Sequence, residues 1–159
     1  MTTTPDWLPE LILLEEYRGD WKRYEDFTYS MFYRDFIESK PFFQGLPVYI
    51  KRTIFKGKEF GFWHCMQEGP AEESRIPDLR RCERVGWIRA IIEHADLPII
   101  KKWVNQRGRN TRVLLWFNEE YLVVLEKRSS HWLLCTAYCT TWERTKARLR
   151  RQHEQYLKS

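Results

Sequence analysis

Between Asp20 and Lys40 the candidate inward positions recur at spacings of three and four: Trp21, Tyr24, Phe27 or Thr28, Met31, Phe32 and Phe36. That period predicts an amphipathic helix, which Pro41 ends. In PVYIKRTIFKGKEFGFWHCM, residues 47 to 66, the pattern changes to two apolar segments on either side of Lys56, Gly57 and Lys58, a β-hairpin signal. Alternation in the second arm puts Phe60, Phe62, His64 and Met66 on one face, with His64 near the strand's end. The segment DLRRCERVGWIRAIIEHADL, 78 to 97, predicts a helix with Pro77 suited to its first position and Pro98 closing it. A shorter helical piece is expected around Ile99 to Asn105, and a loop at QRGRN, 106 to 110. From Arg112 the runs RVLLWF, YLVVLEK and HWLLCTAY predict a three-strand antiparallel meander, followed by a basic helix over 141 to 158.

The order is helix, hairpin, helix, meander, helix, an α+β arrangement. No repeat, low-complexity tract or linker divides it, so a single domain over 1–159 is expected. Its parts are an acidic helical N-terminal region (1–45), a sheet with an arginine-rich helix (46–140) and a basic C-terminal helix (141–159).

Composition sharpens this picture. The chain has 159 residues, enough for a core, and joins 16% aromatic to 31% charged residues, unlike a disordered chain. No apolar run approaches the roughly 20 residues of a membrane helix, and no basic residue precedes the short apolar run near the start. Neither membrane insertion nor secretion is expected. Four cysteines without a CxxC pair point to reduced thiols in a cytoplasm. Cys135 and Cys139, four apart on one strand face, would serve either a zinc site or small core packing. Residues 1–45 carry nine acids against five bases, although the whole chain is net +5. The remainder is thus strongly basic, as a surface for a polyanion would be.

Arginines gather where a helix is predicted to begin: Arg75 before it, and Arg80, Arg81 and Arg84 in its first two turns. Cations there oppose the helix dipole, so either a bound phosphate relieves the conflict or Asp78 and Glu83 neutralise the cluster. His64 is likewise either a hydrogen-bonded core residue or the working part of a site. Thr136 and Tyr138 share one strand face and would point together to a cleft, or serve only propensity and packing. A histidine, arginines and a hydroxyl meet the needs of metal-free RNA cleavage: the 2′-hydroxyl loses a proton, the 5′-oxygen gains one, and donors stabilise the phosphorane. The sequence has no HExxH, carboxylate cluster or P-loop.

FWH at 62–64, RIPDLRRCERVGWI at 75–88, YLVVLEKR at 121–128 and LLCTAY at 133–138 resemble the phage and mobile-element branch of the barnase, EndoU, colicin-tRNase and RelE-like ribonucleases. The resemblance runs from about Trp21 to Tyr156. It implies a helical N-terminal part before a small antiparallel sheet, and a cofactor-free endoribonuclease toxin that cuts tRNA or mRNA and is neutralised by a cognate antitoxin. Carried over onto matching positions, it implies His64, Arg81, Arg84, Thr136 and Tyr138 as site residues, with Arg128 in support. Arg75 and Arg80 would add phosphate contacts, and Arg148, Arg150 and Arg151 would extend the footprint along the last helix. That helix has an alternative role, covering the sheet with a stripe of Trp142, Leu149 and Tyr156. The alternative function is a non-enzymatic RNA-binding or interaction module.

Overall fold

The structure is a computed structural model that describes residues 4–68 and 76–159. Its first segment lies against later helices: Leu8 is buried, Trp87 Nε1 donates to Pro9 O (2.9 Å) and Tyr24 Oη donates to Ile12 O (2.7 Å). Helix α1 (Trp21–Tyr33) starts where the Asp20 carboxylate accepts the Arg23 N–H. It buries Tyr24, Thr28 and Phe32, and a π-helical turn, Arg34–Glu38, carries it on to bury Phe36. Most of the apolar period read from the sequence faces the core, but at the Phe27 or Thr28 position it is Thr28 that is buried and Phe27 that is exposed.

Strands β1 (Phe42–Phe43) and β2 (Leu46–Tyr49) follow, then β3 (Ile54–Phe55) and β4 (Lys58–Glu59). The predicted hairpin turn is present: Lys56 and Gly57 both take positive φ (50° and 82°), as a tight two-residue turn requires. Its second arm is not the predicted strand. After Glu59 the chain coils into helix α2 (Phe60–Met66), so His64 sits on a helix and not at a strand end. Phe62, Trp63, Cys65 and Met66 are buried around most of α2, whereas Phe60 and His64, one helical turn apart, share its less buried side. Tertiary burial has overridden the β-propensity of this aromatic run.

Strands β5 (Gln67–Glu68) and β6 (Ile76–Pro77) pair antiparallel. The single helix predicted over 78–97 is two, α3 (Leu79–Glu83) and α4 (Trp87–Glu93), broken between them near Gly86. Pro77 belongs to β6, and Asp78 is the N-cap of α3. The piece around Ile99 to Asn105 is not helical: it belongs to strand β7 (Ile100–Arg107), which turns at Gly108 into β8 (Asn110–Phe117). Strands β9 (Tyr121–Lys127) and β10 (Trp132–Cys139) and helix α5 (Glu143–Lys158) complete the chain.

The main sheet has the order β1-β2-β10-β9-β8-β7, so the C-terminal meander has four strands and not three. It is mixed: β2 runs parallel to β10, and every other neighbouring pair is antiparallel. The β3-β4 hairpin stays outside it. One face, with Val113, Leu115, Val123, Leu125 and Leu134, packs under the N-terminal segment and α1 to α4 as the principal core. The opposite face has a smaller apolar cluster of Trp103, Leu114, Trp116, Leu122 and Val124, sealed by Leu149 of α5. No helix among the described residues is long and apolar enough to cross a membrane.

Candidate functional site

On that second face, beyond the reach of α5, the sheet turns from apolar to charged. Arg112 on β8 continues the line of Leu114 and Trp116, and Glu126 on β9 continues that of Leu122 and Val124. Strand β10 contributes through an irregularity. Its register with β9 shifts between Leu134 and Thr136, leaving Cys135 as an extra, bulged residue. Leu134 and Ala137 therefore both face the principal core, and Cys135, Thr136 and Tyr138 all line the other side. The bulge also overturns the expected shared face of the two cysteines: Cys139 packs with the principal core and Cys135 with the small cluster, so they point to opposite faces. Among the described residues no set of three metal-ligating side chains converges.

These residues and the neighbouring helices enclose a cleft of about 550 Å³. Strand β2 pairs with β10 only at Trp132 and Leu133, and α2 packs against the rest of that strand. Two side chains fasten the C-terminal end of α2 there. Thr136 Oγ1 donates to His64 O (3.3 Å), and Arg81 Nη1 donates to His64 O (3.2 Å) and Gln67 O (2.7 Å). The carbonyls at a helix end lack intrahelical partners, so a guanidinium is well suited to that place. Arg81 also stands 3.3 Å from the Asp78 carboxylate and 5.6 Å from the Tyr138 ring centroid. His64 lines the cleft with its ring 6.1 Å from that of Phe60.

Five cationic residues border the cleft: Lys51, Arg81, Arg107, Arg112 and Arg128. Asp78 meets Arg81 from outside the cleft, and among the described lining residues one carboxylate faces the cations. Glu126 is buried and lies between two guanidinium groups, 3.2 Å from Arg112 Nε and 2.6 Å from Arg128 Nη2. Desolvation of the carboxylate is offset by the two charge-assisted contacts, and each contact also fixes the plane of its arginine fork. Burial pushes the Cys135 thiol above its ordinary value and the Cys65 thiol up to about 12. Both thiols are thus protonated at neutral pH, which does not favour a thiolate nucleophile.

The cleft therefore brings together His64, Arg81, Arg128, Thr136 and Tyr138 from the sequence reading. It does not include Arg80 or Arg84. Arg80 Nη1 is 2.9 Å from Glu83 Oε1, and Arg84 pairs with the same carboxylate at 3.4 Å while stacking 4.9 Å from the Trp87 ring centroid. The conflict expected at the helix start is resolved internally, because the Asp78 side chain accepts from the Arg80 and Arg81 N–H groups and Glu83 holds the other charges. Arg75 lies outside the described residues. Lys51, Gln67, Arg107, Arg112 and Glu126 also line the cleft but were not singled out from sequence. For Arg112 and Glu126 a signal did exist: charged residues in phase with the apolar positions of their strands.

A second cavity, of about 310 Å³, adjoins the first and shares Arg107, Arg112, Thr136 and Tyr138 with it. Arg148 of α5 lines it, whereas Arg150 is committed to Glu119 through Nε (3.0 Å) and Nη2 (2.7 Å), and Arg151 is exposed outside either cavity. The expected apolar stripe on α5 is reduced to Leu149: Trp142 is 76% exposed and Tyr156 42%. Gln152 and His153 replace it, the first accepting from Trp103 Nε1 (3.3 Å) and the second lying against the same indole.

Comparison with protein-family models, with curated proteins and with solved structures finds no match to this chain.

Proposed function

We propose that the chain is a cofactor-free endoribonuclease that acts in the cytoplasm on tRNA or mRNA, with the cleft beside α2 as its active site. The observation that carries this reading is the convergence of an imidazole, His64, with five cationic residues around a cleft large enough for a phosphodiester and its flanking sugars. In the reaction the 2′-oxygen attacks the adjacent phosphorus, the bond to the 5′-oxygen breaks, and a 2′,3′-cyclic phosphate forms. A base removes the 2′ proton, and an acid supplies one to the departing oxygen. His64 exchanges a proton with the reacting oxygens. Arg112 and Arg128, oriented by Glu126, hold the phosphate and the charge that develops on it. Arg81 and Thr136 are positioning residues, since both bond to the backbone carbonyl of His64.

An acidic antitoxin would close such a cleft by charge complementarity. The rival reading, RNA binding without cleavage, is favoured by one observation: Arg81 Nη1 and the Thr136 hydroxyl are engaged with backbone. End-group analysis separates the two. Purified protein incubated with total RNA in EDTA is expected to leave 2′,3′-cyclic phosphate ends. Intact RNA at protein concentrations that saturate binding would instead leave only the binding module.

A further inference from the structure

The second cavity differs chemically from the first. Its floor is apolar, made by Leu114, Leu122, Val124 and Leu149, and amide side chains Asn105, Gln106 and Gln152 stand around it. Cations are confined to Arg107, Arg112 and Arg148. Such a cavity suits a flat heteroaromatic ring with hydrogen-bonding edges, attached to an anion. Asn105 adds an independent sign: its Oδ1 is buried and has no hydrogen-bond partner. Buried amide oxygens are rarely left so, and a rotation of this side chain toward the cavity would let a ligand donor supply the partner that the fold does not.

We propose that this cavity is a nucleobase subsite for the nucleotide next to the scissile phosphate. The proposal rests on the ribonuclease reading of the neighbouring cleft. The backbone crosses from one cavity to the other over Arg107 and Arg112, which border both, and Tyr138 stands at the passage. The base lies on the apolar floor under α5 and presents an edge to Asn105, whose amide offers both a donor and an acceptor. Arg148 contacts the phosphate on the far side of that nucleotide. The subsite thereby gives the cut a preference for base identity at one position.

Methyl NMR of the 19.6 kDa protein tests this directly. Each of the four ribonucleoside monophosphates is titrated, with ribose phosphate as the base-free control. Ring-current shifts are expected at the methyls of Leu122, Val124 and Leu149 with at least one nucleotide, and not with ribose phosphate. Asn105→Ala is expected to weaken that nucleotide about five- to tenfold, the loss of one hydrogen bond. Arg148→Gln on α5 is expected to weaken nucleotide more than nucleoside. Equal methyl shifts from ribose phosphate, or unchanged affinity in both folded variants, would overturn the subsite. RNA cutting without base-dependent shifts would reject the subsite alone, whereas base binding without RNA cutting would reject the nuclease reading and keep the subsite.

Discussion

Gly61 shows how a single residue sets the position of His64. Its φ is not in the left-handed region, so the reason for glycine is space: a Cβ there would stand 2.8 Å from Ile50 Cβ and 3.2 Å from Lys51 N. The contact is with a buried side chain and backbone, neither of which moves cheaply. Gly61→Ala would gain helix propensity of about 1 kcal/mol, yet overpacking costs about 1–3 kcal/mol, so a net destabilisation of up to about 2 kcal/mol is expected. Urea unfolding measures it. A variant more stable than the parent, showing the propensity gain without the overpacking cost, would show that α2 does not rest tightly on the Ile50 segment. The same glycine explains a misreading from sequence. FGFWHCM has the aromatic content of a strand, and the helix is revealed only by the close approach that Gly61 permits and by the Phe60 to His64 spacing.

At the scale of elements, α5 is held to the sheet by less apolar contact than its sequence suggests and by more charge. Leu149 is its one buried side chain, and the Glu119 carboxylate, after β8, receives both Arg150 and Lys101. Those partners hold the Glu119 pKa at about 2, below its ordinary 4.5. A depressed carboxylate pKa stabilises the fold fully above about pH 4.5 and loses that contribution as pH falls toward 2. Glu119→Gln is therefore expected to loosen α5 near neutral pH, read as faster amide hydrogen exchange in that helix. The difference from the parent should vanish near pH 2, and a difference that persists there would contradict the ionic clamp. The second strand-level surprise is β7. Ile100 and Trp103 are three apart and look helical, yet they point to opposite faces, Ile100 into the principal core and Trp103 under α5. A period of three arises there by chance from a strand buried on both sides.

Across the whole molecule, the α+β class, α1 and the β8 to β10 strands are legible because their periods largely match the faces they bury, whereas the basic last helix is legible as a helix but not in the face it buries. The site is legible only in part. Residue type singles out His64, and strand parity Thr136 and Tyr138, but the helix that carries His64, the Cys135 bulge, the Glu126 bridge and the pairing of Arg80 and Arg84 with Glu83 depend on contacts across the fold. What emerges is a sheet with two unlike faces, one largely apolar under the N-terminal helices and one half apolar, half cationic. The central claim is that the cationic half cuts RNA through His64. Single-turnover cleavage of one RNA in EDTA, by the parent and by His64→Ala at saturating protein, tests it most directly. The expected result is a rate lower by roughly 10²–10⁴ in the variant, the usual worth of a general acid or base, with RNA affinity nearly unchanged. Equal cleavage rates in a correctly folded His64→Ala would contradict the account.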